Sequence, residues 1–142
     1  MIQQLSVFVE NKQGALVETT GILTDCGINI RAMSLADTEK YGVLRMIVNN
    51  TAAAQKALGD AGFLTRITDV VAVTMPDKAG SLNRVVQLLA QAGVNLEYLY
   101  AFNNAGKNSA YVVLRVQDCA LAEQTLSADG FPVLTAADLE KM

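Results

Sequence analysis

The chain has 142 residues, 51% of them hydrophobic and 18% charged, with only two prolines; this suits one ordinary domain or two small ones and excludes disorder or a large multidomain scaffold. A net charge of −3 offers no basic field to nucleic acid or anionic lipid, and the absence of histidine removes the usual neutral-pH general base and the commonest metal ligand. Cys26 and Cys119 form no CxxC pair, and neither a secretion leader nor a run of about 18 apolar residues is present, so we expect a soluble cytoplasmic protein with buried free thiols, no metal, no cofactor and no membrane contact.

In chain order, residues 4–9 alternate, with Leu5, Val7 and Val9 on one side, and predict a first strand. A helix follows from Gly14, with Leu16, Thr19, Leu23 and Cys26 as its apolar stripe and Gly27 as its end. INIRAMSLA and VLRMIV read as a β-hairpin, rich in residues that suit a pleated surface. Thr51 is the expected N-cap of a short helix striped by Ala54, Ala57 and Leu58 and ended by Gly62, and FLTRIT is a further strand. Val71 and Val73 open a second strand–helix series, whose helix carries Leu82, Val85, Val86 and Leu89 and closes at Gly93. VNLEYLYAF and YVVLRV form the next hairpin, Asp118 caps a helix striped by Ala122, Thr125 and Leu126, Gly130 ends it, FPVLT is the last strand, and AADLEKM adds one helical turn.

These two series are one unit written twice. NKQGAL at 11–16 recurs as DKAGSL at 77–82, an offset of 66 that also aligns Leu23 with Leu89, Gly27 with Gly93 and Asn29 with Asn95. Two extra residues in the second hairpin, FNNAGKNS, raise the offset to 68, which aligns Leu58 with Leu126 and Gly62-Phe63 with Gly130-Phe131. The expectation is an α+β chain with the ferredoxin-like order βαββαβ twice, in domains 1–68 and 69–142, each an antiparallel sheet with helices on one face. With Leu44, Met46, Val48, Val112, Leu114 and Val116 facing the helices, the opposite face carries Val43, Arg45, Ile47, Tyr111, Val113 and Arg115. Adding Met33, Leu35 and Leu99 to that face makes a patch large enough to predict a homodimer through paired sheet faces, whereas Tyr98, Tyr100 and Phe102 are expected in the core.

A fold of this kind does not name an activity, so function rests on particular residues. The loops NKQG and DKAG place a glycine where the chain turns into a helix, leaving the next amides as donors for a small carboxylate, with Asn11 or Asp77 available to an ammonium group. The same residues serve equally well as turn and capping residues. Asn29 and Asn95 interrupt otherwise apolar strand starts; each amide can meet a zwitterion or satisfy loop backbone.

At these residues the chain resembles the ACT domain, the small-molecule regulatory module of many amino-acid-metabolic enzymes: D/N-x-x-G-x-L, an amphipathic helix, G-[IV]-N-[IL], then a hairpin. The resemblance covers nearly the whole chain in two copies. It implies binding of an amino acid at an interface between domains, using the first loop of one and the start of the second strand of another. Carried over, it implicates Asn11, Gln13, Gly14 and Asn29 in the first copy and Asp77, Ala79, Gly80 and Asn95 in the second. Gln13 and Ala79 stand where the family commonly has proline, and Asn11 where an acid is common, which weakens the analogy most in the first copy. With no kinase, dehydrogenase, synthase or DNA-binding segment outside the copies, the resemblance implies a free-standing, non-catalytic amino-acid sensor. The alternative is a regulatory subunit of a separate amino-acid biosynthetic synthase or ligase. An acylphosphatase-like enzyme would want an arginine where Lys12 and Lys78 stand, an RNA reader would need basic charge and RNP aromatics, and a heavy-metal carrier GMxCxxC.

Overall fold

Alternating apolar residues at 5, 7 and 9 form a strand whose odd positions enter a core, and the rest of the first unit is arranged around it. The computed structural model of the chain describes residues 1–103 and 108–142, so the two extra residues expected in the second hairpin lie outside the described residues. Strand β1 (Ile2–Glu10) leads into helix α1 (Ala15–Asp25), then come β2 (Ile30–Asp37), β3 (Tyr41–Val48) and α2 (Thr51–Asp60). Strand β4 (Thr65–Pro76) is followed by α3 (Ser81–Gln91), β5 (Leu96–Asn103), β6 (Ser109–Val116), α4 (Cys119–Ala128) and α5 (Ala136–Glu140). The chain divides into two units, Gln3–Thr68 and Asp69–Met142, the second also taking Met1–Ile2. The architecture is α+β with βαββαβ-type elements twice, antiparallel strands and helices packed against them.

In the first unit β3 is central, paired with β1 through Val7↔Leu44 and with β2 through Leu35↔Leu44. Its helix-side core joins Leu5, Val7, Val9, Leu44, Met46 and Val48 of the strands to Leu23, Ala54 and Leu58 of the helices. The second unit repeats this with β6 between β4 and β5, and Val71, Val73, Val112, Leu114 and Val116 against Val85, Leu89, Ala122 and Leu126. The strand expected past Phe63 forms as the start of β4, which is hydrogen-bonded beside β1, and it continues without a break into the strand expected at Val71 and Val73; the Phe8 N–H also donates to the Leu64 carbonyl at 3.0 Å. FPVLT shrinks to a single bridge between Val73 and Val133, flanked by N–H bonds from Thr74 to Pro132 and from Leu134 to Ala72, both 2.8 Å. Pro132 has no N–H to give, which limits how far this ladder extends.

Several expectations are corrected. The cap of α2 is Asn50, whose side chain accepts from the Ala53 N–H, and Thr51 is the first helical residue; Asp118 caps α4 as expected, accepting from Leu121. The buried stripes of α1 and α3 are Ala15, Thr19, Leu23 and Ser81, Val85, Leu89, so Leu16, Leu82 and Val86 lie at the exposed margin. Cys119 is buried but Cys26 is exposed. Met33, Leu35 and Leu99 pair with Met46, Leu44 and Leu114 and therefore share the helix side of their sheets. On the opposite face, Ile47 and Val113 are fully buried within the single chain, so that face does not present the bare apolar patch from which sheet-face pairing was expected. Tyr100 and Phe102 are buried, and Phe102 packs on Tyr111 with ring centroids 4.8 Å apart. Among the described residues, no helix is long and apolar enough to cross a membrane.

Candidate functional site

The strand-to-helix loops of the two units have the same internal bonding. The N–H of Lys12 donates to the Glu10 carbonyl at 2.9 Å and that of Lys78 to Pro76 at 3.0 Å, while Ala15 donates to Lys12 and Ser81 to Lys78, both at 3.3 Å. Each loop is pinned to its hairpin, Asn11 N–H to the Lys40 carbonyl at 3.2 Å and Asp77 N–H to Asn108 at 3.0 Å. Gly14 and Gly80 are the N-caps of α1 and α3, with φ of 84° and 94° and no side-chain cap. That left-handed backbone favours glycine, and it turns the first helical amides outward. Among the described residues, the N–H groups of Gln13, Gly14, Leu16 and Val17, and of Ala79, Gly80, Leu82 and Asn83, have no acceptor. Four unpartnered donors at the positive end of a helix dipole form a site suited to a carboxylate.

The other candidate residues sit elsewhere. Asn11 is exposed, and its Nδ2 donates to the Thr38 carbonyl at 3.4 Å. Gln13, Asp77 and Ala79 are exposed on the loops. Asn29 is at the opposite end of β2 from Asp37, which lies beside the first loop, a distance of roughly 26 Å along the strand. Its N–H donates to Asn49 Oδ1 at 3.0 Å and its carbonyl accepts from the Asn49 N–H at 3.2 Å, which leaves the Asn29 side chain exposed. Asn95 is likewise exposed at the start of β5. Within one unit, then, the loop and the asparagine do not meet.

One cleft against the first loop is small, about 80 Å³, walled by Asn11, Lys12, Leu16, Leu35, Asp37 and Gly42. That is below the ordinary range for a small-molecule pocket, so a ligand on the Gly14 amides needs further walls. The Lys12 ammonium lies 3.0 Å from Glu10 and both are well exposed, so it acts as a solvated partner more than as a fixed anion clamp. In the second unit, Ser81 replaces Ala15 at the head of α3, and its buried hydroxyl has no partner among the described residues.

A family model described as the ACT domain pair matches residues 1–142. The chain belongs to the ACT domain family. Its structure is similar to that of protein BT0572 from Bacteroides thetaiotaomicron, at 39% identity and a TM-score of 0.92, over 99% of this chain and 96% of that one. The regulatory subunits of aspartate kinase from Thermus thermophilus and Thermus flavus share the fold, at 14% identity and TM-scores of 0.67 and 0.64, over 89% of this chain and 90% of each of those. No curated protein matches the sequence. Motif spacing in the ACT copies picks out the loops but misses Thr38 and Lys40, which hold the first loop, and Asn49, which holds Asn29, each from 20 or more residues away. Asn49 carried a signal in principle, since a polar residue ending an apolar strand beside Asn29 invites pairing.

Proposed function

We propose that this ACT pair is a non-catalytic regulatory protein that binds a free amino acid. The carboxylate sits on the outward amides of a Gly14-type or Gly80-type loop, and the zwitterion is completed by the Asn29 or Asn95 end of another ACT copy. The observation that supports this best is the congruence of the two loops, each with a left-handed glycine cap and four unpartnered amides. The separation of loop and asparagine within one unit is consistent with a site assembled from two copies. Asn11, Gln13 and Asp77, Ala79 shape the loops and give the ammonium or side chain its neighbours.

A thermal-shift screen of the protein against the twenty amino acids tests the reading. A ligand at about a hundred times its dissociation constant adds roughly 2.7 kcal/mol, a shift of several degrees for a protein of this size. The expected result is a shift for one amino acid or a chemically related group, abolished by Gly80→Asp and weakened by Asn95→Ala. No shift with any amino acid overturns the sensor reading. The second reading, a subunit acting on a separate amino-acid biosynthetic enzyme, is favoured by the exposed Leu16, Val17, Met33 and Leu35 along α1 and β2. It resembles the arrangement that the names of the aspartate kinase regulatory subunits describe.

A further inference from the structure

The two ACT copies differ sharply at one equivalent place. In the second copy, Arg84 of α3 grips Asp129, just past α4, with two bonds: Nε to Oδ2 at 3.0 Å and Nη2 to Oδ1 at 2.7 Å. The repeat's offsets put Glu18 and Ala61 at those positions in the first copy, so neither the guanidinium nor its carboxylate is present there. At that place in the first copy lies a cleft of about 410 Å³, within the range of small-molecule sites.

The lining of this cleft is part charged and part apolar. Glu10, Lys12 and Glu18 supply the charged part; Lys12 is paired with Glu10 at 3.0 Å, and the Glu18 carboxylate has no described partner. Phe8, Phe63 and Leu64 supply the apolar part, with Leu64 68% exposed and Phe8 38%. Two carboxylates against one ammonium leave a single negative charge beside an aromatic wall. That combination suits a cation with an apolar body, because carboxylates hold amidinium and guanidinium groups by paired hydrogen bonds and ring faces attract cations.

We propose that the cleft between the α1 start and the α2 end of the first ACT copy binds a small organic monocation, an amino or amidino head on a flat apolar body. The head sits on Glu18, where the second copy carries its own tethered arginine, and the body lies against Phe8, Phe63 and Leu64. The cleft adjoins the Gly14 loop, sharing Glu10, Lys12 and Ala15 with the small cleft against that loop, but Asn29, Asp77, Gly80 and Asn95, on which the amino-acid reading is tested, do not line it.

Benzamidine is the probe, with neutral, nearly isosteric benzamide as the control, and amide NMR titration of the whole protein is the readout. Benzamidine should give saturable shifts in residues 8–18 and 61–64, and benzamide at the same concentration should give none there. Glu18→Gln, a conservative change at an exposed position, should weaken benzamidine about tenfold by removing the charge-assisted bonds. The double variant Glu18→Arg, Ala61→Asp, which copies the second unit's pair, should abolish binding. Equal responses to the two probes, shifts elsewhere in the chain, or an unchanged Glu18→Gln titration would overturn the proposal. Loss of the amino-acid response in Asn95→Ala leaves the benzamidine titration untouched, so the two readings fail independently.

Discussion

The two thiols illustrate how far one residue's surroundings can depart from its sequence context. Both were expected to be buried, yet Cys26 lies past the end of α1 in the open, whereas Cys119 starts α4 and is buried. Burial pushes the Cys119 thiol above its ordinary value, Arg115 partly offsetting this, and its Sγ lies 3.7 Å from the Asp69 carbonyl. Since the thiolate is the reactive form, an aromatic disulfide reagent at pH 8 should titrate one thiol quickly in the native protein, and the second only in denaturant. Mass mapping of the first adduct to Cys119 would contradict this. Cys119 aligns with Thr51, the first residue of α2, at the repeat's offset of 68, whereas Cys26 was misread because a small residue, Ala15, heads the true buried stripe and makes the stripe appear to start at Leu16.

At the scale of elements, the second unit ties α3 to the end of α4 through Arg84 and Asp129, and closes its last turn with the Thr135–Asp138 capping box. Hydrogen bonds from Arg84, then its charge, hold the Asp129 carboxyl below its usual 3.8; the backbone and hydroxyl of Thr135 do the same for Asp138. Lowered carboxyl values in the folded state mean that this stabilisation is present above the ordinary value and is lost as pH falls through the folded one. The melting temperature of Asp129→Asn should therefore lie below wild type by a constant gap from pH 7 to about pH 5, and the gap should close below about pH 4. A gap that widens on acidification would show that the pair is not what couples the two elements.

Strand boundaries show what periodicity can and cannot reveal at this scale. Leu44, Met46, Val112 and Leu114 were placed on the helix side correctly because β3 and β6 alternate without interruption. Met33, Leu35 and Leu99 were placed on the wrong face because β2 and β5 each contain an irregularity, between Ile30 and Ala32 and between Leu96 and Tyr98. An extra residue reverses the parity of everything after it, and no side chain in the sequence marks the place. The congruence of the two loops was legible for the opposite reason: the repeat states it twice, in NKQG and DKAG, and local turn chemistry is written in adjacent residues. The anchoring of those loops to Lys40 and Asn108 depends on hairpins 30 residues away and was not legible.

At the scale of the whole molecule, several of the exposed large apolar side chains among the described residues lie on α1 with β2 and on α3 with β5. Leu16, Val17, Met33 and Leu35 along α1 and β2, and Leu82, Val86 and Leu99 along α3 and β5, remain exposed although Ile47 and Val113 are fully buried. Exposed strand edges with apolar margins invite pairing with another chain, so the homodimer expected from the sequence is proposed to run through β2 and β5. Light scattering on a sizing column should give twice the chain mass for the wild type. Met33→Lys with Leu35→Lys, both on exposed positions, should shift it toward the monomer with the fold retained by circular dichroism. A wild-type monomer at micromolar concentration would rule the dimer out.

Strand β4 carries Ile67 into one core and Val71 and Val73 into the other, with Asp69 between them and no turn residue in the stretch. The boundary between the two units therefore falls inside a stretch of extended backbone and not in a loop. The halves are thus not interchangeable cassettes. A gene cut at the repeat boundary ends one product, or begins the other, inside a strand, and recombination between copies is confined to crossovers that preserve that strand's length residue for residue.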